Sequence, residues 1–141
     1  MKRAAMLVWC VLLAAAAPVA GAQGKPGGDD PLAQFLYPPD VVMRFQHDIG
    51  LDEKQRTAIK EAIQKAQSKF LDFQFDMQTE QVKLAKLLSA SKPDETSVLS
   101  QVDKVLTLER EVKKTQIALL VRIKDLLSEA QQAKLSELRK E

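Results

Sequence analysis

The stretch DEKQRTAIKEAIQKAQSKFLDFQFDMQTEQVKLAKLLSA, residues 52–90, decides the fold, because its 39 positions hold no proline and no glycine. Apolar residues recur through it at Ile59, Ile63, Ala66, Phe70, Phe73, Met77, Leu84 and Leu87. Steps of three and four define a heptad seam, interrupted near Glu80 and Gln81. A helix of this length would run roughly 55 Å at 1.5 Å per residue, beyond the span of a small globular domain.

What flanks the stretch repeats its punctuation. Ser91-Lys92-Pro93-Asp94 reads as a turn, and a second long helix is expected over about residues 94–127. Its seam is read as Val98, Val102, Val105, Glu109, Val112, Gln116, Leu119, Ile123 and Leu126. The first long helix opens on Leu51-Asp52-Glu53-Lys54-Gln55 and a last short helix opens on Leu127-Ser128-Glu129-Ala130-Gln131. Each is a capping box: the Asp or Ser side chain accepts from the backbone N–H three residues on, and the Gln side chain reaches back. Leu51 and Leu127 stand where an apolar staple would. Ahead of these, Pro39 suits a first helical turn, a short helix is expected over 40–48, and Gly50 should cap it in the left-handed conformation. The last helix places Leu135 and Leu138 on one face. The expected architecture is all-α: a long antiparallel helical hairpin with short flanking helices, four helices in all. So narrow a core favours dimerisation.

The start of the chain reads differently. Met1-Lys2-Arg3 is basic, residues 4–17 are an apolar run, Pro18 breaks it, and Ala20-Gly21-Ala22 has cleavage-site spacing. The run is too short to span a bilayer, so residues 1–22 are expected to be a secretory signal peptide cut near Ala22. Residues 23–37, opening QGKPGGDD, form an expected flexible leader, and 38–141 the helical domain. The only Cys, Cys10, and the only Trp, Trp9, leave with the signal, so the mature chain would have no disulfide and no thiol chemistry. Loss of Lys2 and Arg3 would leave 19 basic residues against 19 acidic ones. That balance argues against nucleic acid as the main partner.

Leu71, Phe75 and Val82 lie off the main seam of the first long helix. With Phe70, Phe73 and Met77 they make FLDFQFDM, residues 70–77, apolar on two faces. The second face is expected to pack a dimer or the terminal helices, to bind client proteins, or both. Flat Phe and flexible Met suit a surface that accepts many partners. A basic cluster, Arg110, Lys113, Lys114, Arg122 and Lys124, is expected as a solvated face paired with acids such as Asp72 and Asp76, or as an attractor of acidic clients. No Ser–His–acid constellation, phosphate loop or His/Glu metal motif is readable, so no enzyme activity and no cofactor are expected.

The paired openings resemble the Leu-Thr-x-x-Gln motifs of the Spy/CpxP-like periplasmic proteins. Leu51, Asp52, Gln55 and Arg56 form one copy, and Leu127, Ser128 and Gln131 the other. Asp52 and Ser128 replace the usual Thr and keep its capping chemistry. The resemblance covers about residues 38–139. It implies a cradle-shaped periplasmic dimer that protects unfolded proteins without ATP in an envelope-stress response, or that restrains an envelope sensor protein. A sister branch of heavy-metal sensors and resistance proteins implies an alternative, a transition-metal site. Its candidate ligands here are Met43 and His47, four residues apart, with Glu80 and Glu109 at seam positions. The sister branch carries more His on the first helix than this chain does. The mature chain has balanced charge where the best-known chaperone cradle is basic.

Overall fold

The computed structural model describes residues 32–140. The expected signal peptide, residues 1–22, and most of the expected leader lie outside the described residues. A single 3-10 turn, Ala33–Phe35, precedes four helices: α1 Pro39–Arg44, α2 Glu53–Leu88, α3 Glu95–Leu126 and α4 Glu129–Leu138. No strand occurs among the described residues. The two long helices pack antiparallel along their length as the hairpin that the unbroken heptads require. None of the helices is long and apolar enough to cross a membrane.

The starts of α2, α3 and α4 carry side-chain caps, while α1 opens on Pro38-Pro39 without one. Asp52 Oδ1 accepts from the Gln55 N–H at 2.7 Å, and the Asp52 N–H donates to Gln55 Oε1 at 3.2 Å. Ser128 and Gln131 repeat this at 3.2 and 2.9 Å. Asp94 opens α3 by accepting from both the N–H and the hydroxyl of Ser97. Regular α1 ends at Arg44, earlier than residue 48, because residues 45–49 close as turns. Gly50 then stands at φ +66°. Its N–H donates to the His47 carbonyl, and the Leu51 N–H reaches back to Gln46 at 3.0 Å, which is a Schellman close.

The core is concentrated at one end, which we call the head. Tyr37, Val42, Ile49, Leu51, Ile59, Ile123, Leu127 and Leu135 form one buried cluster, with Phe45, Ile63, Leu119, Leu126 and Leu138 against it. Both motif leucines are buried in this cluster rather than stapled within their own helices, where the facing residues are Arg56 and Gln132. Residues 32–37 strap this head. The Tyr37 hydroxyl donates to the Gln132 carbonyl at 3.1 Å. Arg139 donates to the carbonyls of Leu36 and Gln34 and stacks over the Tyr37 ring at 5.6 Å, and Lys124 donates to the Phe35 carbonyl.

The two motifs also meet each other. Gln55 Nε2 donates to Gln131 Oε1 at 2.8 Å, and Gln131 Nε2 donates back to Gln55 Oε1 at 3.0 Å. The second amide proton of Gln55 goes to the Leu126 carbonyl at 2.8 Å, and that of Gln131 to the Gly50 carbonyl at 3.3 Å. Each amide thus fills two donor and two acceptor sites at once: its own helix start, the other glutamine, and the chain entering the other helix. Glutamate could not replace either residue, because the ring of contacts needs both NH₂ groups.

The seam of α3 differs by one residue from its expected course. Gln101, Leu108 and Thr115 are buried or half-buried, whereas Glu109 and Gln116 are exposed. Both choices complete a heptad with Val98, Val105, Val112 and Leu119, and it is burial that selects the first. On α2 the seam is continuous rather than interrupted: Glu80 occupies it, half-buried like Met77 and Leu84 beside it.

Two stability outcomes follow. In chemical denaturation followed by circular dichroism, Ile123→Ala or Leu135→Ala should cost about 2–5 kcal/mol, because both side chains are fully buried in the head. Gln55→Glu should cost about 1–3 kcal/mol, since partner groups in the clasp lose their donor. A double-mutant cycle with Gln131→Glu should be non-additive, and additive losses would contradict the clasp.

Candidate binding surface

The register of the hairpin sets what stands beside what. Gln101, 5% exposed, is the buried polar residue of the seam among the described residues. Its Nε2 donates to the Glu80 carbonyl at 2.9 Å and to Glu80 Oε2 at 2.6 Å. Lys83 closes on Glu80 Oε1 at 2.7 Å from the next turn. The hydrogen bond from Lys83, then that from Gln101, holds the Glu80 carboxyl below the usual carboxylate range. At the head, Gln55 bonds the Leu126 carbonyl in the same register. By that alignment Val82 stands level with Leu99, and Phe75 level with Leu106.

These four, with Leu71, are exposed. Phe75 is 64% exposed, Val82 63%, Leu99 55%, Leu71 53% and Leu106 49%. At 100° per residue, Phe75 and Val82 point away from α3, while Leu71 on α2 and Leu99 and Leu106 on α3 lean toward one flank of the antiparallel pair. The α2 side of this surface carries no charge from Gln64 to Ser89. Its positions are Gln64, Gln67, Ser68, Leu71, Gln74, Phe75, Gln78, Gln81, Val82, Ala85 and Ser89. The opposite side of the same helix holds Lys65, Lys69, Asp72, Asp76, Lys83 and Lys86. Half-buried Val102 adds to the α3 edge of the uncharged surface.

The expected surface residues therefore divide. Leu71, Phe75 and Val82 are exposed, while Phe70, Phe73 and Met77 are half-buried along the hairpin seam. Leu99 and Leu106 belong with the exposed set and were missed by sequence reasoning. Placing Val102 in the seam hid the heptad step that joins them.

The basic cluster does not act as one patch. Lys114 pairs with Glu111 of its own helix at 3.1 Å. With Arg110 and Lys113 it borders a shallow depression floored by Ile117 and Val121. Lys124 ties the strap, and Arg122 borders an adjoining open groove of about 700 Å³ that shares Ala118 and Val121 with the depression. That groove, lined by Ala58, Ala62, Ala66 and Ala118 with Lys65 and Lys69 at its edge, lies on the charged side of the hairpin.

The four candidate metal ligands are not brought together. Met43 and His47 are exposed at the head. Glu80 lies 27 residues into α2, about 40 Å away along the helix axis, and is committed to Gln101 and Lys83. Glu109 is exposed on α3. Among the described residues no group of three or more His, Cys, Asp or Glu side chains could hold a metal ion.

A chain whose capped helix starts clasp through paired glutamines, and whose long hairpin projects from that clasp, defines a class of small all-helical proteins with twin motifs. A family model for heavy-metal resistance matches residues 4–138, nearly the whole sequence. The chain belongs to this heavy-metal-resistance family, which includes the Spy/CpxP-like proteins with paired Leu-Thr-x-x-Gln motifs. No curated protein and no solved structure matches it.

Acid should loosen the hairpin away from the head first. Glu80 is depressed as described, and Asp94 is held low by the Ser97 hydroxyl and then by the Ser97 N–H. A carboxyl whose folded pKa lies below its unfolded value stabilises the fold above the ordinary carboxylate range. That contribution is lost as pH falls through the folded value. The protection factors of the amides around residues 80 and 101, corrected for the slower intrinsic exchange in acid, should therefore fall at acid pH in the native chain. With Glu80→Gln the acid-dependent part near Gln101 should disappear, and an unchanged pH profile would contradict the assignment.

Proposed function

We propose that the protein is a non-enzymatic, ATP-independent binder of partly unfolded proteins. It would act in the periplasm, after removal of a signal peptide near Ala22. The observation that carries this reading is the set of exposed apolar side chains Leu71, Phe75 and Val82 on the uncharged side of α2, with Leu99 and Leu106 on α3. A stable monomeric chain rarely displays aligned apolar side chains without using them. Glutamines between them bond to polar groups of varied partners without demanding a charge, which suits clients of many sequences. Membership of the family that includes the Spy/CpxP-like proteins supports the same reading.

Family membership also favours a second reading, direct binding of a heavy-metal ion. Within one chain, Met43 and His47 are the ligands left close in sequence, exposed at the head. Such a site would need ligands from another molecule or from solvent to complete its coordination.

Light scattering with a heated or reduced client tests the first reading. Near-stoichiometric protein should suppress aggregation. Phe75→Lys with Leu106→Lys should abolish most of the protection while the helical melting curve stays within a few degrees, because neither side chain belongs to the head core. Failure of the unaltered protein to protect any client would end this proposal. Calorimetry with Zn, Ni, Cu and Co ions tests the second, and saturable heat lost in His47→Ala would establish it.

A further inference from the structure

We infer that the outer stripe of α3 between Arg110 and Lys124 docks on the surface of an anionic phospholipid bilayer. This is independent of the client-binding reading, which rests on residues farther from the head.

The composition of the stripe is the first argument. At 100° per residue, seven residues of this segment fall within about 60° of Ile117, on the side of α3 turned away from α2. Four are cations, Arg110, Lys113, Lys114 and Lys124, and three are aliphatic, Ile117, Leu120 and Val121. No acid and no uncharged polar residue is among them. Glu109 and Asp125 stand at the margins, about 80° around, and Asp103 ends the stripe beyond Leu106. Arg122, the remaining member of the basic cluster, turns off to the flanking groove. The positive charge is therefore local, on a chain whose bases and acids balance after loss of residues 1–22.

Geometry is the second. Arg110, Lys113 and Lys114 border the depression floored by Ile117 and Val121, and Val121 is exposed. The ion pair of Lys114 with Glu111 lies open to solvent, so it holds Lys114 only weakly against a lipid phosphate. Lys124 donates to the Phe35 carbonyl, a neutral acceptor that leaves its charge in place. That contact brings the strap to the head end of the stripe, and the strap exposes Phe35, at 59%, together with Leu32. Lys and Arg stems can lie along the aliphatic residues while their charged ends reach the phosphates. Aliphatic residues flanked by cations along about 21 Å of helix are what lets a helix lie in the plane of a bilayer surface. None of the helices is long and apolar enough to cross a membrane, so the contact is a surface one.

The same composition favours lipid over an acidic protein. Protein interfaces are depleted in lysine and rely on directional hydrogen bonds between polar groups. Here three of the four cations are lysine, and the stripe has no Ser, Thr, Asn or Gln to set a register. An anionic bilayer supplies phosphate at every point around the stripe and an acyl boundary beneath it, with no register to match.

The test uses the chain from Gln23 onward, which keeps every residue of the head core, and vesicle flotation. Vesicles of phosphatidylglycerol and phosphatidylcholine in equal parts should bind it about tenfold or more tighter than phosphatidylcholine alone. Binding should weaken as salt rises from about 0.1 to 1 M. Lys113→Gln with Lys114→Gln should cost about thirtyfold in affinity. Lys65→Gln with Lys69→Gln removes the same charge from the flank of α2 and should leave most of the binding intact. Val121→Trp gives this chain its only tryptophan, whose emission should shift to shorter wavelength on the anionic vesicles and be quenched by brominated lipid. Equal affinity for the two kinds of vesicle, equal losses from the two lysine pairs, or an unshifted Val121→Trp spectrum would each overturn the inference. Saturable binding to polyglutamate without binding to vesicles would assign the stripe to an acidic protein and overturn it as well.

Discussion

The reciprocal amide pair of Gln55 and Gln131 is the contact on which the remaining geometry hangs. A capping box alone would only start a helix. Here the residue that completes each box spends its spare donor on the other motif, so two helix starts 76 residues apart in sequence are fixed to each other. The same amides hold the Gly50 and Leu126 carbonyls, the points at which the chain enters α2 and leaves α3. Once those points are pinned, the leucines that precede the caps have one place to go, the cluster around Ile59, Ile123 and Leu135. The hairpin then leaves the head in a determined register.

Far from the head the hairpin lacks such a core and relies on its seam. Glu80 and Gln101 occupy seam positions where apolar residues would give more burial. A polar layer of this kind gives up stability for specificity, because a shifted register would leave a glutamine amide and a carboxylate facing aliphatic neighbours. The head clasp and the Glu80–Gln101 layer agree on one alignment, and that agreement sets Val82 level with Leu99 and Phe75 level with Leu106 along the hairpin. A slip by one heptad would separate both pairs.

Much of this was legible in the sequence, and the misses have physical causes. The caps, the Gly50 turn, the length of the helices and the second apolar side of α2 depend on residues within two or three turns of each other, where spacing is diagnostic. The clasp between the motifs depends on closure of the whole chain, and no local pattern announces it. The α3 seam was misplaced because Val102, Glu109 and Gln116 are spaced like Gln101, Leu108 and Thr115. A polar residue at the true position, Gln101, made the wrong choice look better. The interruption read at Glu80 has the same origin: its carboxylate is in the seam because Gln101 is there to receive it. Charge segregation along α2 would have found the surface without a structure. One side of residues 64–89 holds only Gln, Ser, Ala and apolar residues, and the other holds the lysines and aspartates.

That segregation also bears on how the molecule tolerates an exposed apolar surface. Glutamine keeps the surface wettable without giving it the fixed charge that would repel half of all partners. The charged side supplies solubility through lysines and aspartates in near balance, so the chain as a whole need not be strongly basic or acidic. Stability is supplied elsewhere, by the head, whose buried residues do not overlap with Leu71, Phe75, Val82, Leu99 or Leu106. Folding and surface chemistry are thus carried by different residues at different ends of the same two helices. The exposed stripe is free to vary in sequence as long as the clasp and the seam hold the helices side by side.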